Sequence, residues 1–399
     1  MRGMVLTERF VIMKRTLNKE EFAMTKMKSR NGKIDFLRFF FSVIVVLNHA
    51  KYFTPKGALQ DVFKGYSLAV EFFFLVSGYL MMATIERAES RESSLSLARE
   101  SGAFLFRKFK SVYPEIAIAY IAASICVSLV AVRPFLDVVT DSWTDLFLIS
   151  STGLRMETVN GVTWYISSML ICMAILYPLL RKYKSMMVRI VLPLLVLLVL
   201  GYMKQNLGSP RNPTEWLGFT FRGNMRAFAE IGLGVLCYFA AKKVKQIQFK
   251  MLGKILLTAV EVSIYISYVW YMSTTPVSMR DYLHLFLLCV AVIISFSAQG
   301  VGANLFNNRF FAFLGKYSLS LYLGHVFFAS YLHELFPFLT AWRYRYQLLF
   351  YLFAAFATAA VVFLISNLLR KYGNRILTFG KRLFTVSNSD TVAAAIENR

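Results

Sequence analysis

Four polar residues interrupt an otherwise apolar stretch near the start of the chain, "DFLRFFFSVIVVLNHAKYF" (35–53). They are Asp35, Arg38, Ser42 and His49. At the helical angle of 100° per residue, all four fall within an arc of about 60°, and Arg38 and His49 lie roughly 16 Å apart along the axis. A histidine can accept a proton near neutral pH, and an arginine offers always-charged donors to a phosphate or a carbonyl oxygen. Together they indicate a site that binds an anionic or carbonyl group at one end and moves a proton at the other.

The same residues also have a structural interpretation. A basic residue near the end of a membrane helix often extends to the headgroups, Arg38 to the inner ones and His49 to the outer ones. The shared face favours function, because a charged face should not point at hydrocarbon and such residues usually line a cavity. Asp35 lies one turn before Arg38, where it can pair with the guanidinium and fix its direction.

The elements that would position these residues are membrane helices. The chain has 399 residues, of which 57% are hydrophobic, and its mean hydropathy is +0.53. Runs of about 18 or more mostly apolar residues recur along it, unlike in a soluble domain. We therefore predict an all-α polytopic membrane protein of one membrane domain with about ten transmembrane helices. The predicted bounds are 34–53, 66–85, 112–132, 163–183, 189–203, 224–241, 252–273, 282–299, 314–335 and 346–369.

The basic residues orient these helices. Nine Lys and Arg lie in 1–33, six in 86–111, five in 242–254 and six in 370–399, whereas most other loops hold one or two. Lys and Arg are retained on the cytoplasmic side, so we predict that both termini are cytoplasmic. This topology accounts for the net charge of +23, and no nucleic-acid partner is expected. The predicted domains are a basic N-terminal tail (1–33), a transmembrane domain (34–369) and a basic C-terminal tail (370–399).

No metal site is expected. The four cysteines, Cys126, Cys172, Cys237 and Cys289, fall inside predicted spans, and no Cys-x-x-Cys or Cys/His ligand spacing occurs. No cleavable signal peptide is predicted, because the polar, basic residues 1–33 are followed by a full-length apolar span. The predicted location is the cell membrane, which the chain crosses many times.

Five motifs, in order over 34–325, resemble those of the integral-membrane acyltransferase-3 family. They are "IDFLRFFFSVIVVLNH" (34–49), "VEFFFLVSGYLM" (70–81), "FRKFKSVYP" (106–114), "TWYISSML" (163–170) and "LGKYSLSLYLGH" (314–325). Family members transfer an acyl group, commonly acetyl, from cytoplasmic acyl-CoA to a hydroxyl of a glycan or lipid-linked sugar. The resemblance covers the membrane domain and excludes both tails.

The resemblance implies that Arg38 and His49 are essential. His49 suits a general base that takes the proton of the sugar hydroxyl, or a nucleophile that carries the acyl group itself, and the sequence leaves both roles open. Arg38, on the donor side, suits a phosphate or the thioester carbonyl. Glu71 lies at a depth similar to that of His49, where the family more often has Asp, and is expected to orient the imidazole. The alternative for Glu71 is an interfacial residue that faces the headgroups.

Acyl-CoA, most simply acetyl-CoA, is the expected co-substrate. Arg107, Lys108 and Lys110 precede the third predicted span and suit the CoA phosphates, although membrane topology alone also explains them. Two positions depart from the family pattern. Ser111 stands where a second arginine is usual, and Met169 stands where the motif often has a glutamate, so no acid is assigned there.

The acceptor is expected to contact residues from several helices. These are Asp35, Ser77, Trp164, Tyr322 and His325. Tyr322 and His325 share a helix face with Ser318, within about 60°, and are expected to line the catalytic cavity. Trp164 can stack on a sugar, although aromatic residues are also common at membrane interfaces. Gly78, beside Ser77, is assigned to close helix packing.

The leading hypothesis is a membrane O-acyltransferase that moves an acyl group, most simply acetyl, from acyl-CoA to a hydroxyl of a cell-envelope or exported glycan or of a lipid-linked sugar. The sequence leaves open a succinyl or other acyl group. Its expected partners are a glycan or lipid-linked sugar and membrane lipids; the sequence assigns no oligomeric state. A transporter or flippase of a lipid-linked sugar is the alternative, against which the motif series and the lack of an internal repeat argue. A third possibility is a scaffold that has lost activity, which the retained Arg38 and His49 disfavour.

Overall fold

The computed structural model describes residues 31–90, 95–154, 157–275 and 278–397, with side chains described as far as Gly373. Its secondary structure is 81% helical, and the described residues contain no β-strand. The all-α prediction is therefore confirmed. The predicted N-terminal tail lies almost entirely outside the described residues.

Fourteen α-helices are found in the described residues, together with three short 3₁₀ helices and one π segment. In chain order they are α1 Gly32–His49, α2 Ala58–Gly65, α3 Val70–Glu89, α4 Leu97–Ala131, α5 Phe135–Leu146, α6 Thr163–Met186, α7 Leu192–Leu207, α8 Arg222–Gln246, α9 Met251–Thr274, α10 Asp281–Ser297, α11 Arg309–Gly324, α12 Val326–Ser330, α13 Leu332–Leu335 and α14 Tyr344–Glu397. Each of the ten predicted helices overlaps one of the long helices, namely α1, α3, α4, α6 to α11 and α14.

The two ends of the helix bundle are named after α1: the end where α1 begins, next to the N-terminal tail, is the tail end, and the end where α1 finishes is the cavity end. At the tail end, the Asn31 side chain donates a hydrogen bond to the carbonyl oxygen of Ser295 (2.9 Å). At the cavity end, His49 at the end of α1 contacts His325, which follows α11. Within the described residues the ten long helices alternate in direction. Helix α1 therefore begins at the tail end, and Arg370 of α14 lies at the same end.

Several helices have the length and composition of membrane spans. Among the described residues five such stretches occur: Leu59–Glu89, Leu97–Ala131, Thr163–Leu207, Met251–Thr274 and Tyr344–Gly373. They agree with a polytopic membrane protein. Ten crossings and a cytoplasmic location of both termini stay predictions.

The stretch 163–207 folds back on itself near the end of α6, where the helix is kinked. Lys184 of α6 and Lys242 of α8 both bind Glu86, so these two helices end at the same level. Arg222 at the start of α8 donates to the carbonyl oxygen of Ser209, just after α7 (3.2 Å). Helix α7 therefore runs antiparallel to α6 and lies along α8. This agrees with the prediction of two separate helices, 163–183 and 189–203.

The third long helix differs from its prediction, because α4 begins at Leu97 rather than at residue 112. Its charged first half is amphipathic and packs on α6. The Phe104 ring stacks on that of Tyr177 at 4.1 Å, and Glu100 accepts hydrogen bonds from Tyr177 (2.9 Å) and Arg181 (3.0 Å). A search for apolar runs misses such a segment, since its charges lower the mean hydropathy.

Helices α3 and α8 approach each other closely through two glycines. A Cβ added to Gly78 would lie 2.0 Å from the carbonyl oxygen of Ile231, and one added to Gly234 would lie 2.1 Å from that of Leu75. These distances leave no room for any side chain. The assignment of Gly78 to close helix packing is confirmed.

We expect Gly78→Ala to destabilise the protein by about 1–3 kcal/mol, because the new methyl group must push the α8 backbone away. The measurement is thermal unfolding of the purified protein in detergent. Gly201→Ala on α7 is the matched control, since nothing lies within 4 Å of its Cβ position. Its stability should match or slightly exceed that of the wild type. Equal melting temperatures for the two variants would contradict the proposed close contact.

Candidate functional site

Two histidines from distant parts of the chain meet at the cavity end. Nε2 of His325 lies 3.0 Å from Nδ1 of His49, and the ring centroids are 4.8 Å apart. His325 is fully buried and His49 is half-buried. Each Nδ1 also lies beside a backbone carbonyl oxygen one turn earlier, that of Val45 at 2.9 Å for His49 and that of Leu321 at 3.0 Å for His325.

These contacts determine which ring nitrogens carry hydrogen. A carbonyl oxygen can only accept, so each Nδ1 must be a donor. In the neutral His325 ring, Nε2 is then an acceptor, and the Nδ1–H of His49 is shared between that nitrogen and the carbonyl oxygen of Val45. Nε2 of His49 is left as the basic atom. The pair can therefore accept a proton at His49 while neutral acceptors stabilise the imidazolium that forms.

His49 lines a cavity of about 620 Å³ at this end of the bundle. Trp164 and Tyr322 also line it, and Tyr52 and Tyr331 add further aromatic surface; that Trp164 and Tyr322 contact a substrate stays a prediction. Such a volume is within the usual range of small-molecule sites, and flat aromatic faces suit a sugar ring. His325 is not part of this wall and lies behind His49, in contact with its ring.

A row of polar side chains leads from the cavity toward the tail end. The Tyr322 ring lies 5.7 Å from that of Tyr165, and the Tyr165 hydroxyl lies 3.1 Å from the hydroxyl of Ser77. Tyr165 is close enough to Arg38 for the arginine charge to act on it. The row therefore connects the two ends of the polar face of α1. Ser77 belongs to this row and does not line the cavity.

Arg38 is half-buried on α1, eleven residues before His49. Its charge also acts on Lys108 of α4, which is half-buried with its Nζ 6.0 Å from the centre of the Phe104 ring. Arg107 and Lys110 are exposed on the same helix. Two neighbouring cations, Arg38 and Lys108, favour an anionic ligand between them. The three predicted donor-site residues of α4 are thus helical and not part of a loop.

Asp35 lies in a helix interface at the tail end, and not in the cavity where a contact with the acceptor was expected. It is 5% exposed, and a Cβ on Gly315 of α11 would come within 2.4 Å of its Oδ1. The glycine of the "LGKYS" motif is therefore required for α1 and α11 to approach. Because its interface is remote from the cavity wall, Asp35 acts on helix packing.

Glu71 does not contact His49, contrary to expectation. Its carboxylate is fully buried, accepts a hydrogen bond from the Tyr268 hydroxyl (2.6 Å) and lies 3.7 Å from Nη2 of Arg226. The side chain points toward α8 and α9, where its partners lie. The group that contacts the imidazole of His49 is instead His325.

Sequence reasoning missed the buried cluster that Glu71 belongs to. Nε of Arg226 bonds Oε1 of Glu230 at 2.6 Å, and Arg226 lines the cavity. An arginine and a glutamate four residues apart inside an apolar helix, "RAFAE", were the available signal, since such a spacing pairs the two side chains. The partners on α3 and α9 could not be read from that spacing.

Comparison with known proteins identifies the family. A search of curated proteins finds none that matches the chain. Residues 31–367 match the acyltransferase-3 family, which is described as an acyltransferase domain. The matched region begins just before α1, ends within α14 and includes the histidine pair, Arg38 and the whole cavity wall. The chain therefore belongs to the acyltransferase-3 family of membrane acyltransferases.

Proposed function

We propose that this protein is a membrane O-acyltransferase of the cell membrane. It moves an acyl group, most simply acetyl, from acyl-CoA to a hydroxyl of a cell-envelope or exported glycan or a lipid-linked sugar. The observation that carries the proposal is the contact between His49 and His325 at the cavity wall. An alcohol is a weak nucleophile, and a histidine with an oriented, unprotonated nitrogen is the group that activates it.

In the general-base route, the acceptor hydroxyl lies in the cavity within reach of Nε2 of His49. Nε2 takes the hydroxyl proton while the oxygen attacks the thioester carbonyl carbon. The carbon–sulfur bond then breaks, and the departing CoA thiolate takes the proton from the imidazolium. His325 keeps the ring in the required tautomer, as a hydrogen-bonded third group does in catalytic triads.

In the carrier route, Nε2 of His49 attacks the thioester first and CoA leaves as a thiolate. The Nδ1 proton of the acylated ring passes to Nε2 of His325. The acceptor hydroxyl then attacks the acyl carbon, and its proton goes to Nε2 of His49 as the carbon–nitrogen bond breaks. His325 returns its proton to Nδ1 of His49, and the imidazolium gives its extra proton to the CoA thiolate. In both routes the thioester must reach His49, roughly 16 Å along α1 from Arg38; the carrier route differs in that CoA can leave before the acceptor hydroxyl attacks.

The donor end of the proposed site rests on Arg38 and Lys108. The charge of Arg38 acts on Lys108 at the tail end of the bundle, and the two suit a CoA phosphate, because the thioester itself must reach His49 further along α1. Arg107 and Lys110 supply further positive charge along α4 for the remaining phosphates. Acyl-CoA as co-substrate thus accounts for four cations that the acceptor cavity does not use.

A flippase of a lipid-linked sugar is the second candidate, because the cavity and the polar row beside it would also suit a sugar in transit. A flippase has no need of a basic nitrogen held by a second histidine. The two functions therefore differ in what the loss of His49 does.

Replacing His49 by alanine should abolish acyl transfer, a loss of at least about 100-fold, without lowering expression. Membranes with each variant are incubated with radiolabelled acetyl-CoA and the host's glycan fraction, and alkali-labile label on glycan is counted. His284→Ala is the control, because His284 stacks on Tyr271 at 3.5 Å outside the cavity wall. Normal transfer by His49→Ala would remove the mechanism. Normal glycan translocation by His49→Ala, with none when the protein is absent, would establish the flippase.

Replacing His325 by alanine should lower kcat by at least about tenfold and leave KM for the acceptor almost unchanged. His325 acts through the ring of His49, so kcat falls because that ring is no longer held in the required orientation. His325→Gln should restore part of kcat, because its side-chain oxygen can accept the Nδ1–H of His49. Steady-state kinetics of the three proteins is the measurement. Equal kcat for His325→Ala and wild type would show that the contact has no positioning role.

Replacing Arg38 by lysine should raise KM for acetyl-CoA by about tenfold or more, although the charge is kept. Lysine cannot reproduce the planar pair of donors that a phosphate or carbonyl oxygen receives from a guanidinium. Arg87→Lys is the control, since Arg87 is exposed and its Nε donates to the carbonyl oxygen of Ala83 (2.9 Å). An unchanged KM and kcat in Arg38→Lys would exclude Arg38 from donor binding.

A further inference from the structure

The cavity carries basic residues that the proposed reaction does not use. Of the charged residues in its wall, four are cations and one is an acid; they are Lys51, Lys64, Arg211, Arg226 and Asp61. Arg211 is neutralised by Asp281, at 2.8 Å, and Lys64 pairs with Asp61 at 3.1 Å, with both of these side chains more than half exposed. Arg226 faces Glu230 and Glu71, so within the described residues the uncompensated positive charge of this wall is that of Lys51.

Lys51 is the cation that this wall leaves without compensation. It follows His49 by two residues and is half-buried, with its Nζ 5.4 Å from the centre of the Tyr52 ring. No acidic side chain pairs with it in the described parts of the chain. Lys64 lines the same cavity, and its charge acts repulsively on Lys51. A half-buried cation beside a second cation is stabilised when an anion binds between them.

Arg226 supplies a second donor in the same wall. It is 1% exposed, and its Nη2 makes no hydrogen bond, although Oε1 of Glu71 lies 3.7 Å away. A buried guanidinium nitrogen without an acceptor costs free energy that a ligand oxygen in the cavity would recover. Oε1 of Glu71 and Oε2 of Glu230 also lack a hydrogen bond, so a ligand group that both accepts and donates, such as a sugar hydroxyl, would suit this part of the wall.

We propose that the acceptor is anionic, with a carboxylate or phosphate group bound between Lys51 and Lys64. This inference rests on the proposed acyl transfer and names its substrate class. The anion fixes the sugar at the cavity entrance, and Tyr52, Trp164 and Tyr331 offer faces for its rings. A hydroxyl of that sugar or of its neighbour then reaches Nε2 of His49, because Lys51 and His49 are adjacent in the wall.

The test measures binding of three oligosaccharides of equal length to the full-length protein in lipid nanodiscs, by titration calorimetry. The probes are an oligogalacturonate, a phosphorylated malto-oligosaccharide and the unmodified malto-oligosaccharide. At least one anionic probe should bind about tenfold more tightly than the neutral one, and added salt should weaken it. The tighter of the two anionic probes identifies the bound group as carboxylate or phosphate.

Variants locate the binding group. Lys51→Gln should lose most of the preference for the anionic probe, about tenfold in affinity, and Lys51→Arg should retain it because the charge is kept. Lys56→Gln is the matched control, since Lys56 is exposed on the same loop and does not line the cavity. Equal affinities for all three probes, no binding of either anionic probe, or unchanged binding by Lys51→Gln would each overturn the inference.

The acyl-transfer assay of the same variants separates the inference from the function on which it rests. Transfer of labelled acetyl to the host's glycan fraction by wild type and Lys51→Gln alike would leave the acyltransferase proposal intact and refute the anionic acceptor. Anion binding through Lys51 without any acyl transfer by the wild type would support the anionic ligand and refute the acyltransferase proposal.

Discussion

A charged or polar group within a membrane-embedded bundle must pair with another group or line a cavity, because hydrocarbon offers it no partner. This constraint applies along the whole polar face of α1. Helix α11 encloses that face at both ends: the absent side chain of Gly315 admits the Asp35 carboxylate, and His325 meets His49. With both contacts made, α1 and α11 must run in the same direction. The close approach of α1 and α11 at the tail end thus sets the position of the histidine pair at the cavity end.

The second consequence of the constraint is the buried group of Arg226, Glu71, Glu230 and Tyr268. Two carboxylates face one guanidinium, with the hydroxyl of Tyr268 donating to Glu71. Removing one partner of a buried charge pair costs about 3–5 kcal/mol, since the other charge is left uncompensated. The cluster therefore ties α3, α8 and α9 together beside the cavity. Glu71 is linked to the cavity wall through Arg226, a contact that its place in the sequence did not reveal.

Hydropathy and helical spacing predicted most of the architecture and part of the site. All ten long helices were found, because each carries a long apolar run. The start of α4 was missed, because its charges hide an amphipathic face that Phe104 and Tyr177 reveal only when packed. Spacing placed His49 and His325 on polar faces but could not predict their contact, which depends on the register of two helices 276 residues apart in the chain. For the same reason it could not tell which way Glu71 pointed.

At Ser111 the chain departs from the family pattern, and the packing of α14 on α4 makes up for the missing arginine only in part. The family pattern leads one to expect a guanidinium on that turn of α4, and the structure brings one there from α14: Arg370 donates to the Ser111 carbonyl oxygen at 2.8 Å. That arginine also forms an ion pair with Glu115, so its charge is already compensated. A neutralised guanidinium attracts a phosphate only weakly compared with an unpaired one. Arg370 therefore holds α14 against α4 at Ser111, but it does not replace the arginine of the family pattern as an available positive charge.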